Sequence, residues 1–143
     1  MSSTRISAAL RREVRERARE CCQYCLIAEL QVFFPHQPDH LIARKHGGRT
    51  LSENLALACF DCNRFKGADI ASIDSVTGEV VGLFNPRIQR WSEQFRLDGG
   101  RIIPLTATGR VTEKLLRLNL PVRVEIRAQL ATLEKHPLVP FDT

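Results

Sequence analysis

The sequence contains no apolar stretch long enough to cross a membrane. Its longest uninterrupted apolar run covers the six residues 55–60, whereas a membrane-spanning helix needs about 20. The first residues, Met1 to Arg5, also lack the apolar core of a secretory signal peptide. No linker rich in glycine, serine or proline and no internal repeat interrupts the 143 residues. We therefore expect a soluble, cytoplasmic protein without a membrane partner.

Lysine is scarce and arginine is abundant. The chain has 4 lysines and 17 arginines against 16 acidic residues, which gives a net charge of +5. A basic surplus favours an anionic partner, of which nucleic acid is the commonest, and the planar guanidinium binds phosphate oxygens in a bidentate manner. A GC-rich genome would also favour arginine codons. Charge alone therefore makes nucleic-acid binding a hypothesis only.

Four of the five cysteines form two C-x2-C pairs. The pairs are Cys22 with Cys25 and Cys59 with Cys62. A reducing cytosol disfavours disulfides, whereas four thiolates at about 2.3 Å around one Zn²⁺ make a closed, tetrahedral structural site. Unliganded buried cysteines are the alternative. The spacing predicts a structural zinc site with Cys21 left over. Cys21 could replace Cys22 in a C-x3-C arrangement, but the shorter spacing is the usual one.

Further polar and glycine residues lie between the cysteine pairs and just after them in a distinctive order. They are Asp39-His40, Gly47-Gly48, Glu53-Asn54-Leu55, Asn63 and Lys66-Gly67. With the cysteine pairs, this order covers residues 22–67, about a third of the chain, and resembles the zinc-knuckle branch of the HNH endonuclease family. The last histidine of the family name is Asn63 here, a common variant that is expected to keep the metal site and to favour Mg²⁺ or Mn²⁺.

The resemblance implies a ββα-metal module, also called a His-Me finger, and a role for each motif residue. His40 would be the general base that activates water, and Asp39 and Asn63 would hold one divalent ion. Asn54 would brace the loop between the strands, and Lys66 would neutralise a phosphate near the cut. Cleavage by this family leaves 5′-phosphate and 3′-hydroxyl ends.

The chemistry of these residue types agrees with the implied roles. Adjacent residues on an extended segment point to opposite faces, so Asp39 can hold a metal while His40 faces a water. The carboxylate of Asp39 and the amide oxygen of Asn63 are hard ligands that suit Mg²⁺ or Mn²⁺. His40, with an unperturbed pKa near ~6.5, is the one motif residue able to deprotonate water at neutral pH. We expect two metals with separate functions.

The partner expected from the family is DNA, with RNA left open, and the protein could be a monomer or a homodimer. The residues predicted to contact nucleic acid are Arg44, Lys45, Arg64 and Lys66. Asn54 has a second interpretation, as the cap of a helix that starts at Leu55. Of the other histidines, His36 suits a structural or weak phosphate role, and His46 and His136 are expected to be exposed.

We divide the chain into a nuclease module at residues 1–68 and a C-terminal extension at residues 69–143 packed on it. The fold class is α+β. Ser7 is predicted to cap a helix over residues 8–20, with Leu10, Val14 and Ala18 as its apolar stripe. Strands near residues 31–34 and 39–43 follow, then a short helix from residue 59 or 60 to Lys66 that Gly67 ends.

The extension is predicted to be mainly helical. The predicted elements are a hairpin of residues 70–73 and 80–84, a helix over 87–97, a strand over 101–105, and helices over 112–118 and 121–134. Helix 87–97 would place Ile88, Trp91 and Phe95 on one side. The last helix would bury Val122, Ile126, Leu130 and Leu133. The extension could wrap the module, form a dimer contact, or extend the basic surface through Arg110, Lys114, Arg117, Arg123 and Arg127.

Two functions from different classes fit these observations. The first is a metal-dependent DNA endonuclease, and the second is a non-catalytic, zinc-stapled nucleic-acid-binding module. The intact Asp39-His40 dipeptide favours the endonuclease, because the binding module leaves the hard metal ligands and the histidine without a purpose.

Overall fold

A computed structural model of the chain describes residues 5–131. The first half contains α1 (Ala8–Arg17), β1 (Gln37–His40), β2 (Leu55–Ala58) and α2 (Phe60–Lys66). The second half contains β3 (Ala71–Ile73), β4 (Val80–Gly82), α3 (Trp91–Gln94), β5 (Phe95–Asp98), β6 (Arg101–Pro104), α4 (Ala107–Leu115) and α5 (Pro121–Leu130). The fold is α+β, as predicted, and β1, β2 and α2 follow one another in the expected ββα order.

The β1–β2 hairpin lies between two helices. The strands are antiparallel, with His40 opposite Leu55, and every residue of β2 is buried. Leu55 and Leu57 pack with Val14 and Ala18 of α1. Ala56 and Ala58 face the main core, which also holds the cysteine pairs. The strand is therefore apolar on both faces, because helices cover both sides of it.

Helix α1 begins as predicted and ends earlier than predicted. The Ser7 side chain accepts a hydrogen bond from the Leu10 N–H at 3.1 Å. The helix stops at Arg17 because Arg19 and Glu20 take positive φ angles of 51° and 60°, which an α-helix cannot contain.

The first predicted strand is wrong. Residues 31–34 are not a strand, because the chain makes a 3-10 turn at Glu29–Gln31 and leaves Phe33 and Phe34 exposed. The strand predicted over 39–43 instead covers Gln37–His40, and its partner is Leu55–Ala58. Asn54 consequently caps no helix; it ends a 3-10 turn, Ser52–Asn54, that leads into β2.

The β3–β4 hairpin confirms the predicted one, and Asp74 organises its turn. Asp74 Oδ2 accepts hydrogen bonds from the N–H and the hydroxyl of Thr77, at 3.2 and 2.9 Å. Arg110 of α4 donates Nε to Asp74 Oδ1 at 2.8 Å and Nη2 to Oδ2 at 3.0 Å. Arg110 is therefore committed to an ion pair inside the extension, and the prediction that it extends the basic surface is wrong.

The helix predicted over residues 87–97 is mostly wrong. Only the single turn α3 is helical, and the chain passes at once into β5, which pairs with β6. Trp91 and Phe95 are buried as predicted, but Ile88 is 79% exposed. The two-residue loop of this hairpin contains Gly99 with φ 61°. A pair of glycines is a typical hairpin signal. The pair Gly99-Gly100 could therefore have predicted this hairpin in place of the helix.

The last two helices also differ from their predicted bounds. Thr106 caps α4 by accepting a hydrogen bond from the Gly109 N–H at 3.0 Å, so α4 begins earlier than predicted. Helix α5 begins at Pro121 as predicted. Residues 132–134 of the predicted helix, with Leu133, and also His136, lie outside the described residues.

The buried face of α5 contains two arginines instead of a full apolar stripe. Leu130 is buried, but Val122 is 59% exposed, while Arg123 and Arg127 are 2% and 0% exposed. Both guanidinium groups donate hydrogen bonds to buried acceptors, which offset the free-energy cost of burying their charges. The prediction that these two arginines extend the basic surface is therefore wrong, whereas Lys114 and Arg117 are exposed as expected.

The C-terminal extension packs against the N-terminal module through a shared core. Trp91 donates its indole N–H to the Tyr24 carbonyl oxygen at 2.9 Å, and Phe84 meets the Tyr24 ring edge-on at 6.4 Å. The division of the chain at residue 68 stays a prediction, since this core runs across it. Within residues 5–131, no helix has the length and hydropathy to span a membrane.

Candidate functional site

The four paired cysteines come together in one buried cluster. Their sulfur atoms all lie within 4.8 Å of one another, and Cys25 Sγ is 3.6 Å from Cys59 Sγ. Four thiolates around one zinc, with bonds of about 2.3 Å, would lie about 3.8 Å apart. The donor set and its spacing therefore fit Zn²⁺, as the sequence predicted.

Both cysteine pairs have the same local geometry. The Cys25 N–H points at Cys22 Sγ, and the Cys62 N–H points at Cys59 Sγ, each at 3.4 Å. Cys59 is also the N-cap of α2, so the second pair fixes the start of that helix. Backbone donors thus stabilise negative charge on one sulfur of each pair.

Cys21 is not part of the cluster. It is buried and forms an isolated β-bridge with Ala28. Burial, assisted by the nearby Cys25 and Glu20 charges, raises the pKa of the Cys21 thiol to about 11. Cys21 is therefore a protonated thiol at neutral pH, as expected of the residue left over from the pairs.

Asp39 lies in β1 with its carboxylate facing α2. It is only 6% exposed, and its Oδ2 accepts a hydrogen bond from the Tyr24 hydroxyl at 3.1 Å. Burial raises the pKa of Asp39, against the opposing effects of Lys66 and Tyr24. The other oxygen, Oδ1, has no hydrogen-bond partner within residues 5–131 and keeps contact with solvent. One carboxylate oxygen is therefore available as a metal ligand.

Lys66 lies in the interface between α2 and β1. It is 3% exposed, and its Nζ is 3.1 Å from Asp39 Oδ2 and donates to the His40 carbonyl oxygen at 3.0 Å. In this structure the ammonium balances the Asp39 charge inside the fold and does not face solvent.

Asn63 lies three residues before Lys66, on the same side of α2. Its backbone takes part in the helix, with the N–H donating to the Cys59 carbonyl oxygen. Its half-buried side chain makes no hydrogen bond to any residue that the structure describes. The amide oxygen is consequently not engaged by any residue that the structure describes.

His40 ends β1 and points toward the loop that follows it. Its Nε2 is 2.9 Å from Thr50 Oγ1, which also accepts a hydrogen bond from Arg44 Nη1 at 3.4 Å. The half-buried ring has a lowered pKa, first because of desolvation and then because of the Arg44 and Lys66 charges, with Asp39 opposing. The neutral imidazole is therefore the favoured form at pH 7.

Asn54 ties the two ends of the loop between β1 and β2. Its Oδ1 accepts from the Ile42 N–H at 2.9 Å, while its Nδ2 donates to the carbonyl oxygens of Ile42 and Arg49 at 3.0 and 2.8 Å. The same loop needs glycine at position 48, since a Cβ on Gly48 would lie 1.7 Å from the Ile42 carbonyl oxygen. The loop that holds Thr50 next to His40 is thus closed by side-chain and backbone contacts.

The loop presents a basic surface close to His40. Arg44, Lys45 and Arg49 are exposed, and a pocket of about 390 Å³ is lined by Arg44, Gly47, Gly48, Arg49, Thr50 and Leu51. Arg64 is exposed on α2, where it pairs with Asp61 at 3.3 Å and its guanidinium lies 4.5 Å from the centre of the Phe65 ring. The four basic residues predicted to contact nucleic acid therefore divide into three exposed ones and the buried Lys66.

Three residues of this region were not found from the sequence. Tyr24 lies between the two cysteines of the first C-x2-C pair, and this position does not predict its hydrogen bond to Asp39. Thr50 and Arg49 lie in the loop beside the glycine pair, and only the basic character of Arg49 could have drawn attention to it. Of the remaining histidines, His36 is 1% exposed with Nε2 2.8 Å from the Ile27 carbonyl oxygen, a structural position, and His46 is exposed as expected.

The structure thus combines a ββα order with a buried four-cysteine cluster that could hold zinc. Residues 22–69, about a third of the chain, match the family model described as HNH endonuclease. The match begins at Cys22 and extends just past Gly67, so it includes all the motif residues and confirms the resemblance. No curated protein and no solved structure matches the chain significantly. This segment is thus similar to a family of nucleases, and nucleic acid is the partner on which that family acts.

Proposed function

We propose that this protein is a metal-dependent endonuclease that hydrolyses DNA phosphodiester bonds and leaves 5′-phosphate and 3′-hydroxyl ends. The observation that carries the proposal is the pair Asp39 and His40 at the end of β1. The Asp39 side chain faces α2 with an open carboxylate oxygen, and the His40 side chain faces the basic loop. In this proposal, Asp39 supplies a metal ligand and the adjacent His40 activates the water, so both act from one end of β1.

His40 is the proposed general base. His40 Nε2 lies 2.9 Å from Thr50 Oγ1. In the proposed tautomer Nε2 donates this hydrogen bond, so the neutral ring has its lone pair on Nδ1. Within the described chain, Nδ1 has no hydrogen-bond partner, and it is not sealed from solvent. His40 then takes the proton of the water that attacks phosphorus.

Asp39 Oδ1 and the Asn63 amide oxygen are the proposed ligands of the catalytic ion. Both are hard oxygen donors without another described partner, which suits Mg²⁺ or Mn²⁺. When bound, such an ion supplies polarisation of the phosphate and stabilises the leaving 3′-oxygen. The protein contributes the fixed positions of the two donors, one on β1 and the other on the helix that the zinc cluster anchors.

The exposed residues Arg44, Lys45, Arg49 and Arg64 are the proposed contacts to the nucleic-acid backbone. Arg44 and Arg49 line the pocket next to His40, and guanidinium groups bind phosphate oxygens in a bidentate manner. Lys66 would reach a phosphate only by leaving Asp39. A single site of this kind cuts one strand, so a monomer would nick DNA and a homodimer would be needed for a double-strand break.

One observation favours the alternative, a non-catalytic zinc-stapled nucleic-acid-binding module. The Lys66 ammonium already neutralises Asp39, so the buried carboxylate has a counter-charge without any divalent ion. In that case the basic loop would bind nucleic acid, and the Asp39–Lys66 pair would serve the fold alone.

A nicking assay on supercoiled plasmid separates the two functions. Purified protein would be incubated with Mg²⁺, with Mn²⁺ and with EDTA, alongside His40→Ala. Endonuclease activity predicts relaxed plasmid that requires metal and is absent with the variant. Salt-dependent DNA binding by wild type and His40→Ala, without relaxation in either metal, would support the binding module and contradict the proposed reaction.

A further inference from the structure

Arg123 connects helix α5 to the second cysteine pair. Its guanidinium is 2% exposed, and Nη2 lies 2.8 Å from Cys62 Sγ and 3.5 Å from Cys59 Sγ. The other terminal nitrogen, Nη1, donates to the carbonyl oxygens of Leu116 and Arg117 at 2.8 and 2.9 Å. One side chain therefore spans the gap between the end of α4 and two sulfurs that lie 61 and 64 positions earlier in the chain.

The charge of an occupied cluster explains why a cation lies at this place. Four thiolates and one Zn²⁺ carry a net charge of −2, and all four cysteines are buried. A buried net charge is costly unless it is paired and hydrogen-bonded. The guanidinium brings one permanent positive charge into direct contact with two of the ligands. It thereby adds side-chain hydrogen bonds to the backbone N–H bonds that the pairs already have.

Arg127 lies one helical turn after Arg123 in α5. It is also buried, but its guanidinium is held by hydrogen bonds to carbonyl oxygens and not to sulfur. It donates Nε to the Gly100 carbonyl oxygen at 2.7 Å and Nη2 to the Leu118 carbonyl oxygen at 2.5 Å. Its guanidinium makes no hydrogen bond to a cysteine sulfur anywhere in the described residues. Arg127 is a matched control for Arg123, since both are buried and both bind backbone carbonyls. One of the carbonyls that Arg127 binds is that of Cys25, at 3.5 Å, so the two arginines differ in the hydrogen bonds to sulfur.

We propose that Arg123 is a positioning residue of the zinc site, and that the C-terminal extension completes the site by neutralising and hydrogen-bonding the thiolates of Cys59 and Cys62. Since Cys62 immediately precedes Asn63, the same contact fixes the first turn of the helix that carries a candidate ligand of the catalytic ion. The inference rests on metal occupancy of the four-cysteine cluster. It does not rest on nuclease activity.

The test uses Co²⁺ in place of zinc, because its thiolate-to-metal charge-transfer bands report the electron density on sulfur. In the full chain, Arg123→Met removes the hydrogen bonds to sulfur, so the band is expected to move to lower energy. Arg123→Lys keeps the charge without the planar fork and is expected to give a smaller shift in the same direction. Arg127→Met removes a positive charge near the cluster but no hydrogen bond to sulfur, so it is expected to shift the band less than Arg123→Met does, even where it lowers stability.

Alkylation of the zinc-loaded protein by iodoacetamide gives a second readout. Zinc-bound thiolates that lose a hydrogen bond are more nucleophilic, so Arg123→Met is expected to react several-fold faster than wild type and than Arg127→Met. If Arg123→Met does not fold, the comparison of Arg123→Lys with Arg127→Met decides in its place. An unshifted cobalt band together with an unchanged alkylation rate in the Arg123 variants would overturn the proposal, as would failure of the wild type to bind Co²⁺.

Discussion

Lys66 and Asp39 form a buried ion pair with a separation of 3.1 Å across the interface between α2 and β1. Their side chains are 3% and 7% exposed, so both charges are largely removed from water. The ammonium contacts Oδ2, which leaves Oδ1 open. A divalent ion and Lys66 can therefore share one carboxylate, with the lysine determining how much negative charge remains for the metal.

Lys66→Met is expected to lower the free energy of unfolding by about 3–5 kcal/mol, since it leaves a buried carboxylate without its counter-charge. Mg²⁺ is expected to stabilise this variant more than the wild type, because the ion binds an uncompensated Asp39 more tightly and binding to the folded state adds stability. Urea unfolding with and without Mg²⁺ measures both effects. Lys114→Met, which removes an exposed lysine, is the control. Equal stabilities of the two variants would contradict the role assigned to the pair.

The bond between Thr50 and His40 leads to a second prediction. Thr50→Val keeps the shape of the side chain but removes the only described hydrogen-bond partner of the His40 ring. We expect kcat for plasmid nicking to fall by about 10²-fold, because a displaced base loses its alignment with the water, while KM changes little. His40→Ala should abolish nicking altogether.

Thr50→Ser serves as the matched variant, because it restores the hydroxyl and should recover most of the lost rate. Nicking rates measured over a range of DNA concentrations separate kcat from KM. A rise in KM alone, shared by Thr50→Val and Thr50→Ser, would mean that Thr50 acts in DNA binding and not in positioning His40.

The cysteines give a third prediction, on stability and metal content. Cys59→Ala is expected to lose zinc and to unfold the module, because binding of a structural metal contributes folding free energy. Cys21→Ala is expected to remain folded with one zinc per chain, since Cys21 lies outside the cluster. Circular dichroism and elemental analysis of the purified variants check both statements. Zinc loss in Cys21→Ala, or a folded, zinc-loaded Cys59→Ala, would show that the cluster was assigned incorrectly.

The parts of the site that the sequence predicted are those determined by short-range chemistry. Cysteine spacing indicated the metal cluster, and Gly67 indicated the end of α2, because both signals lie within a few residues. Strand β2 was missed because its Leu-Ala-Leu-Ala sequence is buried on both faces. Such a strand lacks the alternation that distinguishes a half-exposed strand from a helix.

The remaining features depend on contacts between distant parts of the chain. The periodicity of α5 predicted an apolar face, but two arginines occupy it because acceptors from other elements surround them. Arg123 reaches Cys62, 61 positions away, and no local pattern could show that acceptor. In the same way, Lys66 was predicted to contact nucleic acid, because the sequence alone does not show that Asp39 lies next to it in the fold.

The fourth prediction concerns acid stability and the ion pair of the extension. The hydrogen bonds from Arg110 hold the pKa of the Asp74 carboxyl far below its usual range, and those from Thr77 add to this effect. The folded state consequently binds fewer protons at this group than the unfolded state does. The stabilisation is complete above the unfolded pKa of about 3.9 and is lost as the pH falls from there toward the folded pKa.

Asp74→Asn should therefore be less stable than wild type at pH 6, and the difference should shrink as the pH falls below about 4. Urea unfolding of both proteins at a series of pH values measures the difference directly. Asp98→Asn is the control, because Asp98 is exposed and forms no ion pair with any residue between 5 and 131. Its difference from wild type should be small throughout. If the Asp74→Asn difference stayed constant from pH 6 to pH 3, its cause would be lost packing or hydrogen bonding and not the charge of the carboxylate.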